Sequence, residues 1–209
     1  MPFFETVIRY LGGLLSAYAL SKDPILLSRA DDLGLALLPA FNTSSGLPMF
    51  SVNTENGNVA QGWSPNSVLA EILSCQVEFK YLSYLTGRQV YYEAAENVMN
   101  VMYNTNCSTT SELLPVSWST KTGIPTYGRM SCPFPTWLAE LLTQHIVSVS
   151  VGARADSAFE YLLKQWLLTG RTDAKARDLC ALLPIFSFHI SDSMQTSDLW
   201  TQSSKTSPT

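Results

Sequence analysis

No apolar stretch in the 209 residues reaches the roughly 18–20 that a membrane-spanning helix needs; even the run from Leu11 to Leu20 is interrupted by Ser16 and Tyr18. Positive charge is scarce as well. Only 13 lysines and arginines lie scattered against 17 aspartates and glutamates, a net charge of −4 with no basic patch, which removes the electrostatic argument for a nucleic-acid partner. A neutral, hydroxyl-rich ligand in an acidic cleft suits this balance better. Cys75, Cys107, Cys132 and Cys180 form no C-x-x-C pair and only His145 and His189 accompany them, so the spacing offers no zinc site and the thiols read as free or buried. There is no signal-peptide pattern, and a targeting segment is expected to precede residue 1 in a natural parent.

What is present is a helical repeat. With 46% hydrophobic residues the chain can bury one sizeable core. The helical pattern through Leu14 to Leu20 meets the turn Ser21-Lys22-Asp23-Pro24 and then a second helix from Ile25 to Leu38, with Pro24 suited to its first turn. The plan returns as Ala70 to Leu85, the turn Thr86-Gly87-Arg88 and Val90 to Tyr103. It returns again as Ser157 to Leu168, a turn from Thr169 to Asp173 and a helix from Ala174 toward Leu183. Long loops that follow two of these hairpins, 42–50 and 119–127, share the pattern T-x-x-G-(L/I)-P-x-aromatic, in which glycine supplies a left-handed turn and proline stiffens the exit. Each is expected to form a small β-hairpin or ordered loop.

Short turns at one end and long loops at the other put function on one face. Counted back from the short turns, Glu5, Glu71 and Asp156 come out within about one helical turn of a common level, at the long-loop end. A single glutamate at a helix start reads as a capping or dipole-complementing residue. Three at one level, with Arg9 four residues after Glu5 and Arg154 two before Asp156, point instead to a site. Clustered carboxylates with arginines and aromatics are what glycoside hydrolysis requires: an acid for the leaving oxygen, a base for water and flat faces for sugar rings. Glu78 and Glu160, inside apolar helices, read as network or surface residues. Trp63, Trp118, Trp137, Trp166 and Trp200 share no spacing and read as core or loop anchors. Asn42-Thr43-Ser44 and Asn106-Cys107-Ser108 satisfy the N-glycosylation acceptor pattern, a pointer to a secretory origin.

The stretches from Phe4 to Tyr18 and from Leu38 to Thr43, Leu69-Ala70-Glu71, Gln76-Val77-Glu78-Phe79 and Gly152 to Trp166 together resemble glycoside hydrolase family 47, the class I α-1,2-mannosidases. The resemblance covers about residues 3–128 and 148–178. It implies an all-α fold, part of an (α/α)7 barrel of helical hairpins with small β-hairpin loops at one end. It also implies calcium-dependent, inverting removal of terminal α-1,2-linked mannose from high-mannose N-glycans. By motif, Glu5 matches the general-acid candidate, Asp156 the second catalytic carboxylate and Glu71 an acid that holds the water and sugar network. Arg9 accompanies Glu5, and Arg154 occupies the position that resembles the endoplasmic-reticulum type, where arginine favours removal of one mannose.

The chain departs from that pattern in places. Ala158 stands where the family usually has an aromatic, and the later R-P-E-x-x-E-S motif and the threonine that supplies protein ligands to the calcium (Ca2+) are absent. The expected division is a partial catalytic domain over 1–183, with a non-family insertion at 129–147, and a disordered Ser/Thr-rich tail over 184–209. The insertion and tail are expected to be translated introns, since Arg129-Met130-Ser131 can be encoded with a fungal intron start. A fragment of this kind is expected to be monomeric, of the secretory pathway, anchored to a membrane only outside these residues, and incomplete for turnover. A lectin-like mannose binder without turnover is the alternative.

Overall fold

Pairing of the N-terminal residues with a β-hairpin fixes where the first helix starts. In the computed structural model, which describes residues 1–62, 64, 66–105, 114–126, 150 and 152–181, the Phe3 N–H donates to the Phe50 carbonyl at 2.8 Å, and Val52 donates to the Met1 carbonyl at 2.9 Å. The segment 129–147, the tail 184–209, Trp63, Trp137, Trp200, Cys107, Cys132, both histidines and the acceptor pattern at Asn106 lie outside the described residues.

The first helix, α1, is a rod of three consecutive segments: an α-turn Phe3–Glu5, a π-helical stretch Thr6–Leu11 and an α-helix Gly12–Ser21. Phe3, Val7, Leu11 and Leu15 are its buried apolar stripe. Helix α2, Pro24–Leu37, is started by Asp23, whose Oδ1 accepts the Ile25 N–H at 3.0 Å, with proline in the first turn, where a missing N–H costs nothing. A 3-10 turn, Leu38–Phe41, ends this hairpin.

Four two-residue strands flank the long loops, three of them after 42–50 and the fourth before 119–127: β1 Ser51–Val52 pairs antiparallel with β2 Val59–Ala60, and β3 Ser67–Val68 with β4 Ser117–Trp118. The segment expected as one helix from Ala70 to Leu85 is two, α3 Leu69–Ile72 and α4 Gln76–Thr86. Leu73, Ser74 and Cys75 between them are fully buried. The interruption has no glycine or proline; the Gln76 side chain takes the Cys75 N–H at 3.0 Å, and the Ser74 hydroxyl bonds Ser157 at 2.9 Å across the interface. Tertiary contacts here override local propensity.

Helix α5, Gln89–Asn104, completes the second hairpin; α6, Asp156–Leu168, and α7, Ala174–Ala181, form the third. All three short turns place a residue at positive φ just after the helix, Lys22 (60°), Gly87 (72°), and Gly170 and Arg171 (66° each). That left-handed step lets a backbone N–H cap the helix end, as Gly87 does to Ser83 and Arg171 to Trp166.

Two apolar clusters hold the layers together. One gathers Phe3, Val7, Leu11, Leu37, Phe79, Leu82 and Tyr91; the other Leu69, Ile72, Met99, Trp118, Phe159, Leu162 and Trp166. Helix α5 contributes Tyr91 and Ala95 to the first and Val98, Met99 and Met102 to the second, so it ties the outer hairpins into one body. The Phe79 ring sits 5.2–6.1 Å from the rings of Phe3, Phe41 and Tyr91. Tyr91 donates to Asp31 Oδ1 at 2.6 Å, and Arg88 pairs with the same carboxylate at 3.0 Å, locking α5 to α2. The described residues form an all-α arc of hairpins with small sheets, not a closed barrel, and helices α1, α4 and α6 line its concave face around a cavity of about 570 Å³. No helix of the described residues is long and apolar enough to cross a membrane.

Candidate functional site

Glu5, Arg9, Glu71, Arg154 and Asp156 all line a second cavity, of about 620 Å³, at the long-loop end of the arc. The sequence places these residues up to 151 positions apart; three separate devices bring them together. The strand-like pairing of residues 1–3 with 50–52 sets the start of α1 and hence Glu5. Glu71 is carried by α3, whose first residue, Leu69, donates to the Val116 carbonyl at 2.8 Å. Asp156 opens α6 directly after a tight turn in which the Ala155 and Asp156 N–H groups both reach the Gly152 carbonyl at 3.0 Å.

That turn carries the chain's most unusual backbone among the site residues. Arg154 has φ +83°, a left-handed value that a side chain with a Cβ rarely adopts. Its own carbonyl accepts the Ala70 N–H at 2.9 Å, so the conformation is held from α3, the element that carries Glu71. Strain of this sort persists only where the surroundings over-determine it. The π-helical stretch directly after Glu5 is a second irregularity at the same cavity, of a kind frequent at functional sites.

The electrostatics are mixed. Arg9 and Glu5 form an exposed ion pair, with side chains 67% and 48% accessible, and the contact raises the Arg9 pKa further. Glu71 is half-buried, and burial pushes its carboxyl above the usual range. The Val68 N–H and Arg154 pull it back and Glu5 pushes it up again. Glu71 is the third residue of α3, so its carboxyl sits in the first turn of that helix as well as facing the cavity. Asp156 and Arg154 are exposed to solvent.

Phe4, Ile8, Phe50 and Ser157 also line the cavity without having been singled out in the sequence. Phe50 was legible in one respect, as the aromatic that ends the first T-x-x-G-(L/I)-P-x-aromatic loop. It is backed by Gly62, where a Cβ would lie 2.9 Å from the ring. Glu78 and Glu160 lie elsewhere: Glu78 is bonded by Tyr161 at 2.8 Å, and Glu160 pairs with Lys164 on the surface at 2.6 Å. Trp118 and Trp166 are core residues.

Carboxylates of differing burial around one cavity, with two guanidinium groups and two phenylalanines, can exchange protons with a bound hydroxylic ligand and hold it by directed hydrogen bonds. Among the described residues no group of three or more His, Cys, Asp or Glu could hold a metal ion.

Known proteins resemble this chain in sequence and in fold. The profile of Glycosyl hydrolase family 47 matches residues 1–206. The endoplasmic reticulum mannosyl-oligosaccharide 1,2-alpha-mannosidase of Rattus norvegicus is 39% identical over 173 residues, 82% of this chain and 23% of that protein. Its namesake in Saccharomyces cerevisiae is 38% identical over 180 residues, 81% of this chain and 29% of that one. A solved alpha-1,2-mannosidase from Trichoderma reesei superposes with a TM-score of 0.69 at 30% identity, covering 87% of this chain and 36% of the other. The chain thus spans less than a third of the length of the curated relatives it matches.

Proposed function

Since this chain belongs to glycosyl hydrolase family 47, we propose that its site is that of an inverting mannosyl-oligosaccharide 1,2-alpha-mannosidase of the secretory pathway, acting on terminal α-1,2-linked mannose of high-mannose N-glycans. The observation that carries the reading is the single cavity that gathers Glu5, Glu71 and Asp156 from three hairpins with Arg9 and Arg154. Relatives named for this activity in rat, human and yeast support it.

In this assignment Glu5 gives its proton to the leaving glycosidic oxygen. Asp156, which lines the same cavity, takes a proton from the attacking water, and the two roles on opposite faces of the sugar invert the anomeric carbon. Glu71, carrying a raised pKa and half-buried in the first turn of α3, donates or accepts hydrogen bonds within the water and sugar network. Arg154 presents fixed donors to sugar hydroxyls and reads the branch, and Arg9 holds Glu5 in place. Calcium is common to the family, yet the described residues offer it no ligand group, and no step here passes through it. The catalytic unit is assigned to residues 1–183.

The test is a chimera in which residues 1–181 replace the aligned segment of the rat enzyme. Mannose released from a full-length high-mannose glycan, and lost in Glu5→Gln and Asp156→Asn, supports the assignment. A folded chimera that releases none, or whose release survives both substitutions, overturns it.

A further inference from the structure

We propose that Asn42 is an acceptor for an N-linked oligosaccharide, so that the protein carries a glycan of its own close to the long-loop end. The pattern Asn42-Thr43-Ser44 is intact, with no proline within it and Ser45 after it. Asn42 and Ser44 are both exposed. The triplet lies outside regular structure: Asn42 follows the 3-10 turn Leu38–Phe41 with φ −75° and ψ 64°, and its N–H is satisfied by the Pro39 carbonyl at 3.1 Å.

The loop is pinned on both sides of the acceptor. Phe41 packs against the core before it, and Leu47, fully buried, packs after it. The Thr43 hydroxyl, the middle one of the triplet, is spent on the Leu47 carbonyl at 2.8 Å. A bulky group on the Asn42 amide therefore extends into solvent without displacing either anchor. Asn42 lines no part of the carboxylate cavity, so the glycan leaves that opening free.

The chemistry is a group transfer from a polyprenyl-diphosphate oligosaccharide. Asn42 Nδ2 bonds to C1 of the reducing-end sugar as the C1–oxygen bond to diphosphate breaks; the diphosphate departs with the electron pair, and the amide gives one proton to the transferase. The inference rests on the secretory placement proposed above, and the experiment separates the two.

The full 209-residue chain is expressed in yeast with and without an added cleavable leader. Peptides are then treated with an amidase that releases N-glycans in heavy-oxygen water. In the leader-processed chain Asn42 is expected to return as heavy-oxygen aspartate, and the mark to vanish in Asn42→Gln and in Ser44→Ala while persisting in Asn106→Gln. Recovery of Asn42 wholly as unmodified amide from the leader-processed chain overturns the site. Because glycan transfer acts on the emerging chain, that outcome does not depend on folding. The chain without the leader is the unmarked control, and because the leader is supplied, the presence or absence of the mark judges the site independently of the secretory placement.

Discussion

The Tyr161 hydroxyl on α6 donates to Glu78 Oε1 on α4 at 2.8 Å, a bond between two largely buried side chains on the concave face. Burial pushes the Glu78 carboxyl up to about 6, against the downward pull of Tyr161 and Lys164 and with a small push from Glu160. The folded state thus holds a proton that the unfolded chain, titrating near 4.5, releases first. Stability from this group is therefore lost as pH rises from about 4.5 to about 6, by about 1–2 kcal/mol. Glu78→Gln should flatten that window: urea unfolding of both proteins across it should show the wild type losing ground steadily to the variant. Parallel curves would mean that Glu78 keeps an ordinary pKa.

Lys22 occupies the left-handed step where the second hairpin turn uses Gly87. The conformation costs a side-chain-bearing residue about 1–2 kcal/mol, and the extra freedom glycine adds to the unfolded chain offsets part of the relief. Lys22→Gly should stabilise by about 0.5–1 kcal/mol, read as a raised urea midpoint at unchanged slope.

Gly34 lies where α2 meets the second hairpin, and a Cβ there would stand 2.5 Å from Leu82 Cδ2 and 3.1 Å from the Tyr91 ring. Alanine improves an α-helix by about 1 kcal/mol, whereas overpacking a buried contact costs about 1–3. Packing should win. Gly34→Ala is expected to lower the unfolding free energy by about 1–2 kcal/mol, and a stabilised variant would show that Leu82 yields freely.

Arg154→Leu, made in the chimera, should broaden which mannose residues are removed while lowering the overall rate less than about tenfold, since a guanidinium that reads hydroxyls transfers no proton. Chromatography of the partially trimmed glycans checks this. Loss of activity with an unchanged product order would make Arg154 structural.

The 209-residue chain alone, given calcium and a high-mannose glycan, should release no mannose above a Glu5→Gln blank. The Glu5 and Arg9 side chains are 48% and 67% exposed to water, which screens the charge that would have to supply several kcal/mol of barrier lowering. Turnover above the blank would show that the arc suffices.

The hairpins and the shared level of Glu5, Glu71 and Asp156 were readable because helical spacing and turn residues are local signals: Pro24, Gly87 and Gly170 mark their turns unaided. The interruption at 73–75 was not readable. Leu73-Ser74-Cys75 continues an apolar helical pattern, and only the partners Gln76 and Ser157, the second from another hairpin, unwind it. The same limit hid the left-handed backbone of Arg154, which is held from Ala70. Phe50 showed itself as a repeat residue but not as a cavity wall, because that needs the N-terminal pairing with residues 1–3.

The π-helical stretch Thr6–Leu11 gives the first helix a phase as well as a shape. Each α-helical residue turns the rod by about 100°, and a π-turn accommodates one residue more than an α-turn would in the same rise. Deleting one residue between Thr6 and Leu11 would let the helix regularise with Glu5 kept near its present face, whereas winding the same number of residues into a regular α-helix would rotate Glu5 by about 100° relative to the stripe Leu11 and Leu15 bury. The orientation of Glu5 is therefore set by the width of that turn, and a change that narrows it at constant length should carry the carboxylate away from the cavity, while a one-residue deletion should leave it facing there.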